Sequence, residues 1–206
     1  MNNYFIIMCS GMVASVLPVL TGFLYFRKLS PTFKILLVYI SCSMLSNLIA
    51  FWLAINAQNN YIVFHFYTLV EVLLLLWVFS RWQSAPLMKH LLLAAAVLFS
   101  VLWVMAKFTI ENFHEMEFFT SSVGQLILAF TAVFTIFQLA HESDGKLFHI
   151  SNFWVSLAVL FYAGGTVFIY SLTQEVIHEV WIMKIIIVTI YYLIISWSFR
   201  IEAVKQ

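Results

Sequence analysis

Apolar residues along this chain come in long unbroken runs, and the polar residues gather in short intervals between them. A helix that crosses a bilayer needs about 20 mostly apolar residues, each rising about 1.5 Å. Seven runs meet that requirement, at roughly 4–26, 35–55, 61–80, 91–108, 118–140, 153–172 and 181–199. Within each run the apolar positions are continuous and do not alternate every second residue, which favours helices over the strands of a membrane barrel. The predicted fold class is therefore all-α: a polytopic integral membrane protein forming a seven-transmembrane-helix bundle, with residues 1–206 as a single transmembrane domain.

Composition strengthens this expectation. The chain is 64% hydrophobic and 9% charged, whereas a soluble domain carries about 25% charged residues. A water-soluble fold of this size would have to expose large apolar patches. The formal net charge of +1 implies no nucleic-acid partner. The expected surroundings are a lipid bilayer, with a membrane-protein partner or a second copy of the chain as further candidates. The opening stretch MNNYFIIMCSG has no basic segment before its apolar part and reads as a retained span. Cys9 and Cys42 both fall in apolar runs and make no C-x-x-C motif. The sequence has no N-x-S/T site, which fits a bacterial inner-membrane protein.

Charge in the connections predicts orientation. With the N-terminus outside, the inner face receives Arg27, Lys28, Lys34, Arg81, Lys89, Lys146, Arg200 and Lys205, and the outer face only Lys107. Cytoplasmic connections are enriched in Lys and Arg, so the N-terminus is expected outside and the C-terminus inside. Glu111, Glu115, Glu117, Glu175 and Glu179 then face outward.

Two of those outer stretches share one pattern. TIENFHE (Thr109–Glu115) and TQEVIHE (Thr173–Glu179) both read T-x-E-x-x-H-E and each precedes a span. Thr109 and Thr173 suit helix N-caps, with Glu111 and Glu175 favoured near the positive end of the helix dipole. On such helices, positions i, i+3 and i+4 share a face. Glu111, His114 and Glu115, with Glu175, His178 and Glu179, are thus candidate ligands for a divalent metal such as Zn, Mn or Fe. Two ordinary helix starts with solvated charged turns fit the same residues and are the simpler reading.

Polar groups inside the runs supply the other candidates. Glu71 lies near the middle of the third run, where an ionised carboxylate costs on the order of 3 kcal/mol or more. His65, Thr68 and Glu71 repeat every third position and form one stripe from the outer rim toward the centre. Asn47 and Gln125 share helix faces with Ser43 and Ser121, which suits either helix-to-helix hydrogen bonding or a binding pocket. Lys184 sits about one turn inside the last run, placed to snorkel outward or to reach toward Glu71. Gly164 and Gly165 allow a close helix approach in the sixth run.

The chain carries no H-E-x-x-H helix, G-x-S-x-G elbow or phosphate-binding loop, so no catalytic residues are nominated. Three functions remain. One is a receptor- or carrier-like protein binding a small ligand or cation in an outward-open pocket. Another is a structural or regulatory subunit of a larger membrane complex. The last is an outer-rim metalloenzyme acting on lipid or a small substrate.

Overall fold

A computed structural model describes residues 2–143, 145–172 and 177–205, with side chains described for 12–143, 145–170 and 182–205. Seven α-helices and no strands are present among the described residues. They are α1 (Asn2–Leu24), α2 (Pro31–Ile55), α3 (Tyr61–Trp82), α4 (Pro86–Thr109), α5 (Phe119–Glu142), α6 (Ser151–Leu172) and α7 (Ile177–Val204). Pro31 and Pro86 open α2 and α4, where the missing N–H costs nothing and the fixed φ is already helical. Among the described residues, six helices, α2 to α7, are long and apolar enough to cross a membrane, and Met12–Leu24 of α1 is a shorter apolar stretch.

The helices form a closed ring with one member outside it. Contacts run from α1 to α2, α2 to α3, α3 to α5, α5 to α6, α6 to α7 and α7 back to α1. α4 packs on the outside, against α3 and α5. Large apolar side chains point outward, among them Leu98 and Phe108 on α4 and Phe130 and Phe137 on α5. A surface so apolar suits lipid rather than water, and the chain is a multi-pass helical membrane protein.

The two ends of the bundle differ. Asn59 Nδ2 donates to the His114 carbonyl across 3.0 Å, tying the α2–α3 connection to the α4–α5 connection. We call this the α4–α5 end. Away from it, Phe33, Leu36, Leu75, Phe79, Ile195 and Phe199 are buried in one apolar core that fills the ring. Toward the α4–α5 end that core gives way to a cavity.

One expectation is corrected here. Thr109 does not start a helix: it ends α4, and its hydroxyl donates back to the Met105 carbonyl at 2.9 Å. Residues 110–118 form a turn-rich connection, so Glu111, His114 and Glu115 share no helical face. An apolar run to Phe108 carries enough helical drive to pass through Thr109, and the next helix begins only at Phe119. In the second stretch, 173–176 lies outside the described residues, as do the side chains of Glu175, His178 and Glu179.

Candidate functional site

The ring encloses a cavity of about 430 Å³ that is lined by α1, α2, α3, α5, α6, α7 and the α4–α5 connection. No residue of α4 reaches it. Its walls are largely apolar, with Phe51, Phe64, Ile185 and Val188 among them. Its floor is a polar network built from four helices. Glu71 of α3, 1% exposed, lies at the centre. Glu71 Oε1 accepts the hydroxyls of Tyr39 from α2 at 2.9 Å and Tyr67 from α3 at 3.1 Å. Glu71 Oε2 accepts Gln125 Nε2 from α5 at 2.8 Å. Tyr191 of α7 donates to the Tyr39 hydroxyl at 3.1 Å, and Tyr67 reaches Ser43 Oγ at 3.0 Å. Ser43 in turn meets the Tyr192 hydroxyl at 2.9 Å, and Asn47 Nδ2 donates to the same hydroxyl at 3.4 Å.

The local reason for this convergence is helical spacing. Tyr39, Ser43 and Asn47 stand four apart along α2, so one face turns all three inward. Tyr67 and Glu71 do the same on α3, and Ser121 and Gln125 on α5. Buried polar groups in a membrane must find partners within the protein. The network satisfies most of them, but Gln125 Oε1, on a residue 1% exposed, has no partner.

A second polar cluster closes the cavity on the α3–α4–α5 side. Lys107, in the last turn of α4, is only 8% exposed. Its Nζ lies 2.5 Å from Glu111 Oε2, 2.5 Å from His65 Nδ1, 3.0 Å from Thr120 Oγ1 and 3.5 Å from Glu117 Oε2. His65 Nε2 is 3.0 Å from the Glu115 carbonyl oxygen. That oxygen only accepts, so Nε2 carries the proton and Nδ1 receives the ammonium. Thr68, also buried, donates to Glu117. Phe113 packs edge-on against His65 and stacks on Phe66, while Trp103 Nε1 donates to the His65 carbonyl at 3.1 Å. These rings cover the cluster.

Glu111 joins the cluster to the start of α5. Its Oε1 accepts the N–H groups of Phe119 and Thr120 at 2.8 and 3.0 Å, and its Oε2 accepts the Thr120 hydroxyl at 2.6 Å. A carboxylate there meets both unsatisfied N–H groups and the positive end of the helix dipole. Burial alone would raise the Glu111 carboxyl, but hydrogen bonds from Lys107 and Thr120 and the nearby ammonium outweigh it and hold it below the ordinary value.

The candidate residues therefore fall into three groups. Glu71, Thr68, Asn47, Gln125 and Lys184 line the cavity. His65 and Glu111 meet at Lys107, whereas His114 and Glu115 are exposed. Among the described residues, His65, Glu111 and Glu117 have ligand atoms all within 4.8 Å of one another, close enough to hold a metal ion. The Lys107 ammonium hydrogen-bonds to His65 and Glu111 and pairs with Glu117 at 3.5 Å, standing where a bound cation would. α6 lies between α5 and α7, so the fifth and seventh helices face each other only across the cavity. Lys184 Nζ stands 5.7 Å above the Tyr170 ring, near the cavity mouth.

Sequence reasoning missed Lys107, Thr120 and the tyrosines Tyr39, Tyr67, Tyr191 and Tyr192. The tyrosines carried a signal in the spacing of Tyr39 with Ser43 and Asn47, one face of small polar and phenolic groups in an apolar helix. No protein-family model matches the chain, and neither does any curated protein or solved structure.

Proposed function

We propose that this chain is a receptor- or carrier-like protein of the bacterial inner membrane that binds a small ligand in the ring cavity from the outer face. The observation that carries this reading is the closed ring of helices around about 430 Å³ of space with Glu71 on its floor. That volume falls within the range of small-molecule sites, about 300–1,000 Å³, and far exceeds what one metal ion needs. Apolar walls with a few converging polar groups are the usual make-up of such sites. The apolar plug beyond Glu71 favours access from the α4–α5 end alone.

Charge supports placing that end outside. Arg27, Lys28, Arg81, Lys89, Lys146 and Arg200 belong to connections or helix ends away from the α4–α5 end, and the positive-inside rule assigns that side to the cytoplasm. At the α4–α5 end Lys107 is held in ion pairs with Glu111 and Glu117. The N-terminus is then outside and the C-terminus inside, with α1 completing the bundle of seven spans.

Thiol labelling tests both parts. In a chain with Cys9 and Cys42 replaced by Ser, single cysteines are placed at Gln58 on the α2–α3 connection, Ser121 in the cavity and Ser84 on the α3–α4 connection. A small membrane-impermeant methanethiosulfonate is applied to intact cells. Gln58→Cys and Ser121→Cys should react, and Ser84→Cys should react only after permeabilisation. Reaction of Gln58→Cys without Ser121→Cys would show a sealed cavity and overturn the binding site. The reverse pattern for Gln58→Cys and Ser84→Cys would invert the orientation.

A further inference from the structure

We infer that the ligand is an organic cation, a primary ammonium carried on an apolar aryl-alkyl body, with its N–H groups directed to Glu71 and Gln125. This rests on the cavity being the binding site, and it follows from a count of donors and acceptors on the cavity floor.

The hydroxyl donors that touch or adjoin Glu71 are engaged. The Tyr39, Tyr67 and Tyr191 hydroxyls and one of the two Gln125 amide N–H groups point into the network itself. The acceptors are not. Gln125 Oε1 is buried with no partner. Glu71 Oε2 accepts one hydrogen bond, from Gln125, where a carboxylate oxygen has room for about two. A ligand group that satisfies these two neighbouring acceptors must donate at least twice. A primary ammonium has three donors and no acceptor. A carboxylate, phosphate or ether offers only further acceptors.

Charge points the same way. The hydrogen-bond partners of Glu71 are Tyr39, Tyr67 and Gln125, all neutral. An ionised carboxylate buried without a cation is costly, and a ligand cation would pair it. The tyrosine rings add to this. Tyr162 and Tyr191 lie 4.9 Å apart and Tyr191 and Tyr192 5.4 Å apart, centroid to centroid, giving a continuous aromatic surface beside the floor. Aromatic faces attract ammonium groups. Lys184, the other cation at the cavity, stands seven residues before Tyr191 on α7, about 10 Å away at 1.5 Å per residue, so it meets the ligand's far end and not its ammonium. Phe51, Phe64 and Val188 supply the surface for an apolar body.

The test uses the full chain in detergent with Ser121→Cys as the reporter. Three probes share one body: 2-phenylethylammonium, the neutral 2-phenylethanol and the anionic 3-phenylpropanoate. The ammonium should protect Ser121→Cys from labelling at a concentration at least about tenfold below that of the alcohol, and the propanoate should not protect. Glu71→Gln, nearly isosteric and neutral, should abolish the ammonium's advantage over the alcohol, each protection being taken relative to that variant's own unprotected labelling rate. Gln125→Met provides a second variant if Glu71→Gln does not fold, and should weaken ammonium protection by about tenfold. Protection by the ammonium no better than by the alcohol, or unchanged in whichever variant folds, would overturn the ligand class and leave the cavity standing. A Ser121→Cys that labels under no condition, while Gln58→Cys labels, removes the cavity reading itself and this inference with it.

Discussion

The ammonium of Lys107 lies 2.5 Å from Oε2 of Glu111, and the other oxygen of that carboxylate holds the first N–H groups of α5. Four residues apart in sequence, the pair spans a change of direction: Lys107 belongs to the last turn of α4, and Glu111 acts as the missing cap of α5. Phe118, at the cap position, has no side chain able to accept a hydrogen bond. The outer helix α4 is thereby fastened to the ring at the rim of the cavity.

Glu111→Gln should lower stability by about 2 kcal/mol, because it removes a charge-assisted hydrogen bond and weakens a cap. The loss should depend on pH. The folded-state value of the Glu111 carboxyl is depressed, so its stabilisation is fully present above the ordinary glutamate value of 4.5 and fades as pH falls through the lower folded value. Lys107, His65 and Glu117 face the same point and are unchanged in the variant. Unfolding midpoints of wild type and Glu111→Gln in detergent, followed from pH 7 to pH 3, should converge as the acid range is entered. A constant gap would sink the assignment.

Helix content was legible in the sequence because each apolar run is dictated by the bilayer, independently of its neighbours. α3, for example, begins at Tyr61 as expected and ends two residues beyond the expected Ser80. Glu71 was legible for the same reason, since a carboxylate at that depth needs a partner whatever the fold. The start of α5 was not. Thr109 followed by Glu111 has the form of a helix start, and only the long-range pull of Lys107 and the α5 N–H groups on Glu111 reveals a connection. Lys107 itself looked like an outer-face charge until the ring order placed His65, Glu117 and Thr120 around it. Ring order depends on which helices pack together, and α4 lying outside it is a tertiary fact that no local pattern records.

Lys107→Ala should expose a latent metal site. Without the ammonium, His65 and two carboxylates remain within 4.8 Å of one another, a donor set suited to zinc. The metal-free variant should be destabilised by about 3 kcal/mol, because two buried carboxylates lose their cation. Zinc should restore much of that by binding only the folded chain. Unfolding midpoints with and without zinc, together with zinc content after desalting, check this. A variant as stable as wild type without metal would contradict the role given to Lys107.

Glycine positions offer a test of packing. A Cβ on Gly124 would stand 2.7 Å from Val72 Cγ2 and 3.1 Å from the Phe99 ring, where α5 meets α3 and α4. Val72 is β-branched and both neighbours are fully enclosed, so neither yields easily. Gly124→Ala should cost about 1–3 kcal/mol. A Cβ on Gly164 meets nothing within 4 Å, so Gly164→Ala should be neutral or stabilise the helix by up to about 1 kcal/mol. Thermal midpoints of the two variants should move in opposite directions, or only the first should move.

The tyrosines of the cavity floor should not be equivalent. Tyr39 donates to Glu71 and accepts from Tyr191, so its hydroxyl stands between the carboxylate of α3 and the phenol of α7. Tyr192 meets Ser43 and Asn47, at the edge of the network. A hydrogen bond between neutral groups of membrane helices is worth about 0.6 kcal/mol on average, and Tyr192→Phe should cost about that. Tyr39→Phe leaves a buried carboxylate short of one donor and Tyr191 without its acceptor, so it should cost about 2 kcal/mol. Tyr39 and Tyr67 share Glu71 Oε1. Removing both hydroxyls should therefore depart from the sum of the single losses, as contacting residues do, by at least about 0.5 kcal/mol. Unfolding midpoints of the single and double variants measure all three quantities. Equal losses for Tyr39→Phe and Tyr192→Phe, with strict additivity for Tyr39 and Tyr67, would mean that the network is not organised around Glu71.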